Sequence, residues 1–288
     1  MEKQQKALTP IQALASTKDE VAKKIEKYID GGELHLPQNY SAGNALTQFQ
    51  LMVQDDDKLM SCTRSSLAKC MLDMCVLGLN PAKKQCYAIN YGGKATLMPS
   101  YEGNKAMAKR IDPTIEDIVA RTIHKGEEFD FDDLPNGYSR VIKHKRTLAS
   151  LGVTNPLEEI IGAYATIVYN DGKESVSLIM PFSEIVKRWK MSKARPLDKD
   201  GTLNPDSVHA KFPDKMCERT VINAICKPII SSSNDNDLFC SVAQSNIMEA
   251  QKAEADAEAQ ENMCEGDFMD IDVDFSEIPE ESEEEIQK

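Results

Sequence analysis

The chain has 288 residues, enough to bury one sizeable core or two small ones, and 41% hydrophobic with 28% charged residues is the balance of a soluble globular protein. Its net charge of -13 is localised: residues 251–288 carry 15 acids and 2 bases, and elsewhere 32 acids balance 32 bases. The pI near 4.9 therefore describes the C-terminal segment and does not exclude a basic groove on a neutral body.

Residues 1–16 read as a loose arm. Thr17-x-x-Glu20 has the form of a capping box, and Val21, Ile25, Tyr28 and Ile29 continue a helix that stops at Gly31-Gly32. A second helix is predicted from about Ala42 to Gln54, broken by Asp55-Asp56-Asp57. A third takes Thr63 as N-cap, carries Leu67, Met71 and Met74, and ends at Gly78, with Pro81 preventing its resumption. Cys86 to Met98 reads as a tight hairpin turning on Gly92-Gly93, which supplies the positive φ angles of a two-residue turn. Pro99 and Ser100 then open a helix on which Lys105 and Lys109, four apart, share a face.

The middle of the chain is strand-rich. Ile118 to His124, Phe129 to Phe131 and Tyr138 to Lys143 read as strands, with Asn136-Gly137 as a turn. Glu159 to Tyr169 and Glu174 to Met180 form a further hairpin across Asn170-Asp171-Gly172. Helix returns at about Ser183 to Lys190, and the polar residues 191–210 read as a mobile loop. A helix from about Asp214 to Lys227 follows, with a break at Ser231-Ser232-Ser233-Asn234, and one more helix is predicted over about Asp237 to Gln260. The acidic, aromatic-poor segment beyond it is expected to be disordered. Strands clustered between helical ends, without βαβ alternation or internal repeat, make the expected class α+β, with antiparallel β-hairpins packed with helices.

Eight cysteines (Cys62, Cys70, Cys75, Cys86, Cys217, Cys226, Cys240 and Cys264) include no Cys-x-x-Cys pair, and His35, His124, His144 and His209 show no ligand spacing. Met1-Glu2-Lys3-Gln4-Gln5-Lys6 lacks the apolar run of a signal peptide, and no run is long enough to span a membrane. The expectation is a cytoplasmic protein with buried, reduced thiols, no metal and no cofactor.

Two basic constellations stand out. Lys215, Arg219, Asn223 and Lys227 recur every four residues along one inclined ridge, opposite the core-facing Ile222, Ile225 and Met216. Such a row can track phosphates, with Arg219 able to bind bidentately, and it equally fits a solvated face balanced by Asp214 and Glu218. Lys187, Arg188 and Lys190 surround the single tryptophan, Trp189, whose spacing with Ile185 and Val186 favours a core role over base stacking. Tyr91, at the hairpin tip, is a stacking candidate or a structural turn tyrosine. Gly92-Gly93-Lys94 lacks the spacing of a phosphate-cradling loop. Asp130-x-Asp132-Asp133 has the acids of a nuclease metal site, but it lies where a strand meets a turn and no general base is at a recognisable distance. Asp270-x-Asp272-x-Asp274 lacks the glycine and bidentate glutamate of a calcium loop.

Leu77-Gly78-Leu79-Asn80-Pro81, the aromatic hairpin, Ser100-Tyr101-Glu102-Gly103 and the helix ending in Lys109-Arg110 resemble the RecT family of phage-type single-strand annealing proteins. Ile123-His124-Lys125-Gly126-Glu127, Gly162-Ala163-Tyr164-Ala165 and Met216-Cys217-Glu218-Arg219-Thr220-Val221-Ile222 continue the resemblance in order, over roughly residues 45 to 230. It implies a protein of phage or prophage recombination and repair that binds single-stranded DNA and anneals complementary strands without ATP. It also implies a ring or helical filament, two lobes flanking a basic groove, and work beside an exonuclease and the host single-strand binding protein. Carried over, Lys94, Tyr101, Lys105, Lys109 and Arg110 would line the groove from one lobe, and Lys187, Arg188, Lys215, Arg219 and Thr220 from the other. Glu102 and Asn223 depart from the family, which often has a cation and an arginine there.

The corresponding organisation is an N-terminal arm and helix over residues 1–40 serving oligomerisation, an annealing core over 41–235, a C-terminal helix over 236–261 and the acidic tail over 262–288. An oligomeric scaffold that binds no DNA, and a metal-dependent nuclease, are the competing readings.

Overall fold

Thr9-Pro10-Ile11-Gln12 opens the first helix, α1 (Pro10–Asp30), in the computed structural model, which describes residues 9–151, 156–192, 196–198, 200–232 and 242. The capping box expected at Thr17 is corrected to Thr9: its hydroxyl accepts from the Gln12 N–H, and the Gln12 side chain accepts from the Thr9 N–H. Proline just inside the start costs nothing there, because that N–H has no helical partner anyway. Thr17 instead lies in mid-helix, donating to the Ala13 carbonyl at 2.8 Å and accepting from Arg64 Nε at 2.7 Å. Two cap signals competed, and the buried stripe of Leu14, Thr17, Val21 and Ile25 decided between them, since burying Leu14 requires the earlier start. The loose-arm reading is thereby corrected for residues 9–16, while residues 1–8 lie outside the described residues.

Helices α2 (Ala42–Gln54), α3 (Asp57–Met60) and α4 (Arg64–Val76) complete a helical layer with α1, burying Leu46, Phe49, Val53, Leu67, Met71 and Met74. The chain leaves α4 through Gly78, whose φ of 67° any other residue would hold under strain. A two-stranded hairpin, β1 (Cys86–Tyr91) and β2 (Lys94–Pro99), turns on Gly92 and Gly93, both at positive φ. Its tip is fastened to α4, with the Thr63 N–H donating to the Gly93 carbonyl at 2.9 Å. Ser100 caps α5 (Tyr101–Ile111).

The second layer is an antiparallel five-stranded sheet. Its strands β3 (Ile115–His124), β4 (Glu128–Asp133), β5 (Ser139–Lys145), β6 (Ile160–Tyr169) and β7 (Val176–Pro181) lie in the order β3-β6-β7-β5-β4. Two single-turn helices, α6 (Leu148–Leu151) and α7 (Pro156–Glu159), lie between β5 and β6. After β7 come α8 (Phe182–Lys190), α9 (Val208–Lys211) and α10 (Pro213–Ser231). The fold is α+β. α10 buries Cys217, Val221, Ile222, Ile225, Cys226 and Ile230 and packs on α5, β3 and β6, so it joins the hairpin half of the molecule to the sheet half. It also runs past the expected end at Lys227, because Pro228 falls in its last turn and Ile230 gains a buried site, 2% exposed.

The polar stretch 191–210 holds more structure than a loop: Leu197 bridges Leu203 around Asp198, whose carboxylate accepts the Asp200 and Thr202 N–H groups. Positions 193–195 and 199, the helix expected over 237–260 and the acidic tail from 262 lie outside the described residues.

Cys62, Cys70, Cys75, Cys86, Cys217 and Cys226 are free thiols in the core. Burial pushes Cys75, Cys86, Cys217 and Cys226 up to about 12. Since the thiolate is the nucleophile, these four should resist iodoacetamide at pH 8 in the native protein and react fully in guanidinium. Peptide mapping checks this, and native-state modification of any of the four would show that the helix or strand holding it opens on the labelling timescale.

Candidate nucleic-acid interface

Asn80 stops α4 for good by accepting the Ala82 N–H, at 2.9 Å, into a 3₁₀ turn over Pro81–Lys83. Lys84 then takes φ 56°, a conformation unusual for a residue with a side chain, and its carbonyl accepts the Ser100 hydroxyl at 2.6 Å. The turn presents Lys83 and Lys84 beside the base of the hairpin, where α5 begins. α5 can begin there because of Gly103: a Cβ at that position would lie 2.1 Å from the Gln85 carbonyl oxygen, which already accepts the Ser100 N–H. The constraint is one of space rather than backbone angle.

Between this corner and the α8–α10 side lies a cleft of about 1190 Å³. The hairpin and the start of α5 contribute Lys83, Lys84, Tyr87, Tyr101 and Glu102. α8 and α9 contribute Glu184, Lys187, Arg188, Trp189 and His209, and α10 gives Met216, Arg219, Thr220, Asn223 and Lys227. Six Lys and Arg side chains thus face two carboxylates. One of those carboxylates, Glu184, is paired with Arg188 at 3.0 Å, both half-exposed, so the pair is weak and costs little to open. Among the described residues, Lys83, Lys84, Lys187 and Lys227 have no carboxylate partner.

The Arg219 guanidinium lies over the Tyr101 ring, 5.2 Å from its centroid, and joins α10 to α5. Tyr87 is 44% exposed. Partial burial, with Tyr91 adding to it, pushes the Tyr87 hydroxyl above its ordinary range against the opposing pull of Arg219, so at neutral pH it presents an uncharged ring. The wall behind is fixed. Trp189, 3% exposed, donates its indole N–H to the Thr220 hydroxyl at 2.9 Å, which itself donates to the Met216 carbonyl at 2.8 Å. His209 meets the Trp189 ring edge-on at 4.9 Å, and burial, reinforced by the Arg219 charge, holds it below its usual pKa. Asn104 donates to Asn223 Oδ1 at 2.8 Å, a second tie between α5 and α10. The arrangement can neutralise phosphates along α8 and α10 and offer Tyr87 and the Tyr101–Arg219 stack to bases.

A model of the RecT family matches residues 43–261. The chain belongs to the RecT family. No curated protein matches it. Membership ties it, at the level of the family, to DNA annealing in recombination. No described helix is long and apolar enough to cross a membrane.

The RecT-like motifs acquire local reasons in this geometry. The Ser100-Tyr101-x-Gly103 motif caps α5, supplies the ring beneath Arg219 and lets the helix sit on the Gln85 carbonyl. Ile123-His124-Lys125-Gly126-Glu127 closes the end of β3: the Glu127 carboxylate accepts the His124 N–H at 2.8 Å and bonds the His144 ring at 2.9 Å, and His124 Nε2 reaches Asp214, in the first turn of α10, at 2.8 Å. Burial opposes ionisation of Glu127. The Ser150 hydroxyl, the His124 amide and the His144 ring outweigh it and hold the carboxyl below the usual range.

Of the ten residues expected to line a groove, the cleft gathers Tyr101, Lys187, Arg188, Arg219 and Thr220. Thr220 is committed to Trp189 and Met216, so its proton is not free for a phosphate. The other five lie elsewhere. Lys105 pairs with Asp117 at 3.0 Å and is 18% exposed, while Lys109 donates to the Glu116 carbonyl, so the shared face of these two lysines is turned onto β3. Arg110 donates to the carbonyls of Val76, at 2.9 Å, and His35, where the end of α4 leaves acceptors unfilled. Lys215 pairs with Glu218 at 2.7 Å in the first turn of α10, outside the cleft. Lys94 is exposed beside the hairpin turn, opposite Tyr91 and at the far end from Tyr87. Met216, expected in the core, lines the cleft and accepts from Arg219 at 3.5 Å.

Lys83, Lys84, Tyr87 and His209 were not foreseen. Lys83-Lys84 directly after the Asn80-Pro81 stop was a usable signal, because a turn there must leave both lysines on the surface. Among the described residues no group of three or more His, Cys, Asp or Glu could hold a metal ion. Asp132 is paired with Arg140 at 2.7 Å, and Asp130 stands across the strand pair from Lys143.

Proposed function

We propose that the cleft between the hairpin corner and α8–α10 binds single-stranded DNA, and that the protein anneals complementary strands in the cytoplasm without ATP, as an oligomer. The observation that carries this reading is the Arg219–Tyr101 stack on a wall of unpaired lysines. A guanidinium placed over a ring keeps donors available to a phosphate, and among the described residues Arg219 has no carboxylate to give up. Annealing needs phosphate neutralisation, so that two anionic strands can approach, and contacts that release easily during the search for register. A cleft with many cations and few base-edge donors supplies both, and the exposed Tyr87 ring stacks on any base.

ATP independence is supported by the place of Gly92-Gly93-Lys94, a hairpin turn between β1 and β2 rather than a strand-to-helix loop. Oligomerisation is assigned to the segment 1–40. α1 lies wholly before the family match and exposes Ile11 at 58% and Ile29 at 42%. Residues 41–235 are the annealing core, 236–261 a C-terminal helix and 262–288 an acidic tail, and an exonuclease and the host single-strand binding protein are the proposed partners.

Filter binding of a labelled oligonucleotide, with and without EDTA, tests the reading. Retention of uncut strand is expected in both, with log affinity falling against log salt at a slope of roughly -3 for four or five phosphates. A flat salt response would make the cleft cations ordinary surface, and metal-dependent loss of the strand would favour a nuclease. Asp130→Ala with Asp132→Ala should leave annealing of two complementary oligonucleotides intact without nucleotide. Loss of annealing in that folded variant would return the acids of β4 to the mechanism.

A further inference from the structure

The cations of the cleft have a second polyanion within reach, carried by the same chain. Residues 262–288 hold 11 acids and 1 base, and they lie beyond the match to the family, which ends at residue 261. Asp270, Asp272 and Asp274 alternate with Ile271 and Val273 between Phe268 and Phe275. In extended form such carboxylates follow one another along one edge at about 6.6 Å, a separation of the order of that between successive phosphates of an extended strand. The flanking rings match the stacking surface of Tyr87 and Tyr101. Charge sign, charge spacing and aromatic content all fit the cleft.

The path of the chain fits as well. Lys227, in the last turns of α10, lines the cleft, and the run of described residues ends shortly after it at Ser232. The chain next meets the core at Val242, and the 19 residues from 243 to 261 lead from there to the acidic segment. A structureless chain of that length reaches roughly 25 Å, and a helix about 30 Å, beyond that point. Tethering of this kind gives an effective concentration on the order of millimolar.

We propose that residues 265–285 occupy the cleft in place of a DNA strand and are displaced by single-stranded DNA. The competition with DNA rests on the reading of the cleft given above, whereas the docking itself does not. The effect is a threshold: short or weakly bound strands are refused, and long strands that engage several cations displace the segment.

The test uses the full chain with Asp270, Asp272 and Asp274 changed to Asn and Glu280, Glu281, Glu283, Glu284 and Glu285 changed to Gln. Without DNA, carbodiimide coupling followed by peptide mapping should join carboxylates of residues 265–285 to Lys83, Lys84, Lys187 or Lys227 in the natural chain, and salt at about 0.5 M should abolish it. With DNA, the substituted chain should bind an oligonucleotide about five- to tenfold tighter at ~50 mM salt and within twofold at ~500 mM, where the screening length is a few ångströms. Coupling no more frequent at the cleft than at the exposed Lys23 and Lys58 would overturn the proposal. So would equal affinities at low salt, which would leave the segment to recruit a protein partner. Coupling at the cleft in a chain that binds no oligonucleotide would sink the DNA reading and leave the docking standing.

Discussion

Arg219→Ala is expected to weaken single-strand binding by about tenfold or more, while Lys215→Ala leaves it within about twofold, because a charge-assisted contact is worth roughly 1.5–3 kcal/mol and a solvated surface pair close to nothing. The two cations lie one helical turn apart on α10 and are both exposed, so charge and helix position alone do not separate them. Their neighbours do. Arg219 lies over Tyr101 inside the cleft, whereas Lys215 is held by Glu218 outside it. Arg219→Lys should fall between wild type and alanine, since it keeps the charge but loses the flat fork that stacks and binds bidentately. The salt slope should shrink by about 0.7 in the alanine variant, the share of one single-strand phosphate contact. Thermal melting should barely move, because neither side chain fills the core. Equal loss of affinity in Arg219→Ala and Lys215→Ala would mean that the ridge acts as a diffuse field and that the cleft is not the binding surface.

That contrast marks how far the sequence could be read. The four-residue recurrence on α10 was legible because periodicity is local, and of its members Arg219, Asn223 and Lys227 line the cleft while Lys215 does not. Lys105 and Lys109 obey the same rule on α5, yet their face turns onto β3, where Asp117 and the Glu116 carbonyl wait seven to twelve residues on. Nothing within a helix says whether its basic face meets solvent or the protein's own acceptors. Arg110 shows the same at longer range, since the carbonyls that hold it belong to Val76 and His35. The α4 stop, the Gly92-Gly93 turn and the Ser100 cap were readable because each is settled within a few residues. The start of α1 was misplaced because two cap signals stood eight residues apart and tertiary burial of Leu14 chose between them. Tyr87 could not have been preferred over Tyr91 from sequence: both point to the same face of β1, and only the packing of α5 and α10 decides which one borders the cleft.

The largest stability loss is expected at Gly103, a residue with an ordinary helical angle and no polar group. Alanine normally improves a helix interior by about 1 kcal/mol over glycine. At Gly103 the added methyl would stand 2.1 Å from the Gln85 carbonyl oxygen and 3.5 Å from Leu79 Cδ2. The nearest atom is backbone, fixed by its bond from the Ser100 N–H at 2.9 Å, so no side-chain rotation relieves the contact. The helix must lift away, and doing so breaks the Ser100 cap, parts Leu79 from α5 and moves Tyr101 from beneath Arg219. A net loss of about 3 kcal/mol follows, at the upper end of what overpacking costs, because the atom in the way is backbone. Gly43→Ala is the matched control. It lies in the first turn of α2 with nothing within 4 Å of its added methyl, and it should be neutral or slightly stabilising. Urea unfolding of the two variants reads the difference directly, and DNA affinity should follow only for Gly103→Ala, even at urea concentrations where it remains folded, because the Tyr101–Arg219 stack is displaced. If Gly103→Ala unfolds at the wild-type midpoint, the corner of Lys84, Gln85 and Ser100 is looser than its hydrogen bonds imply, and the cleft cannot depend on it for shape.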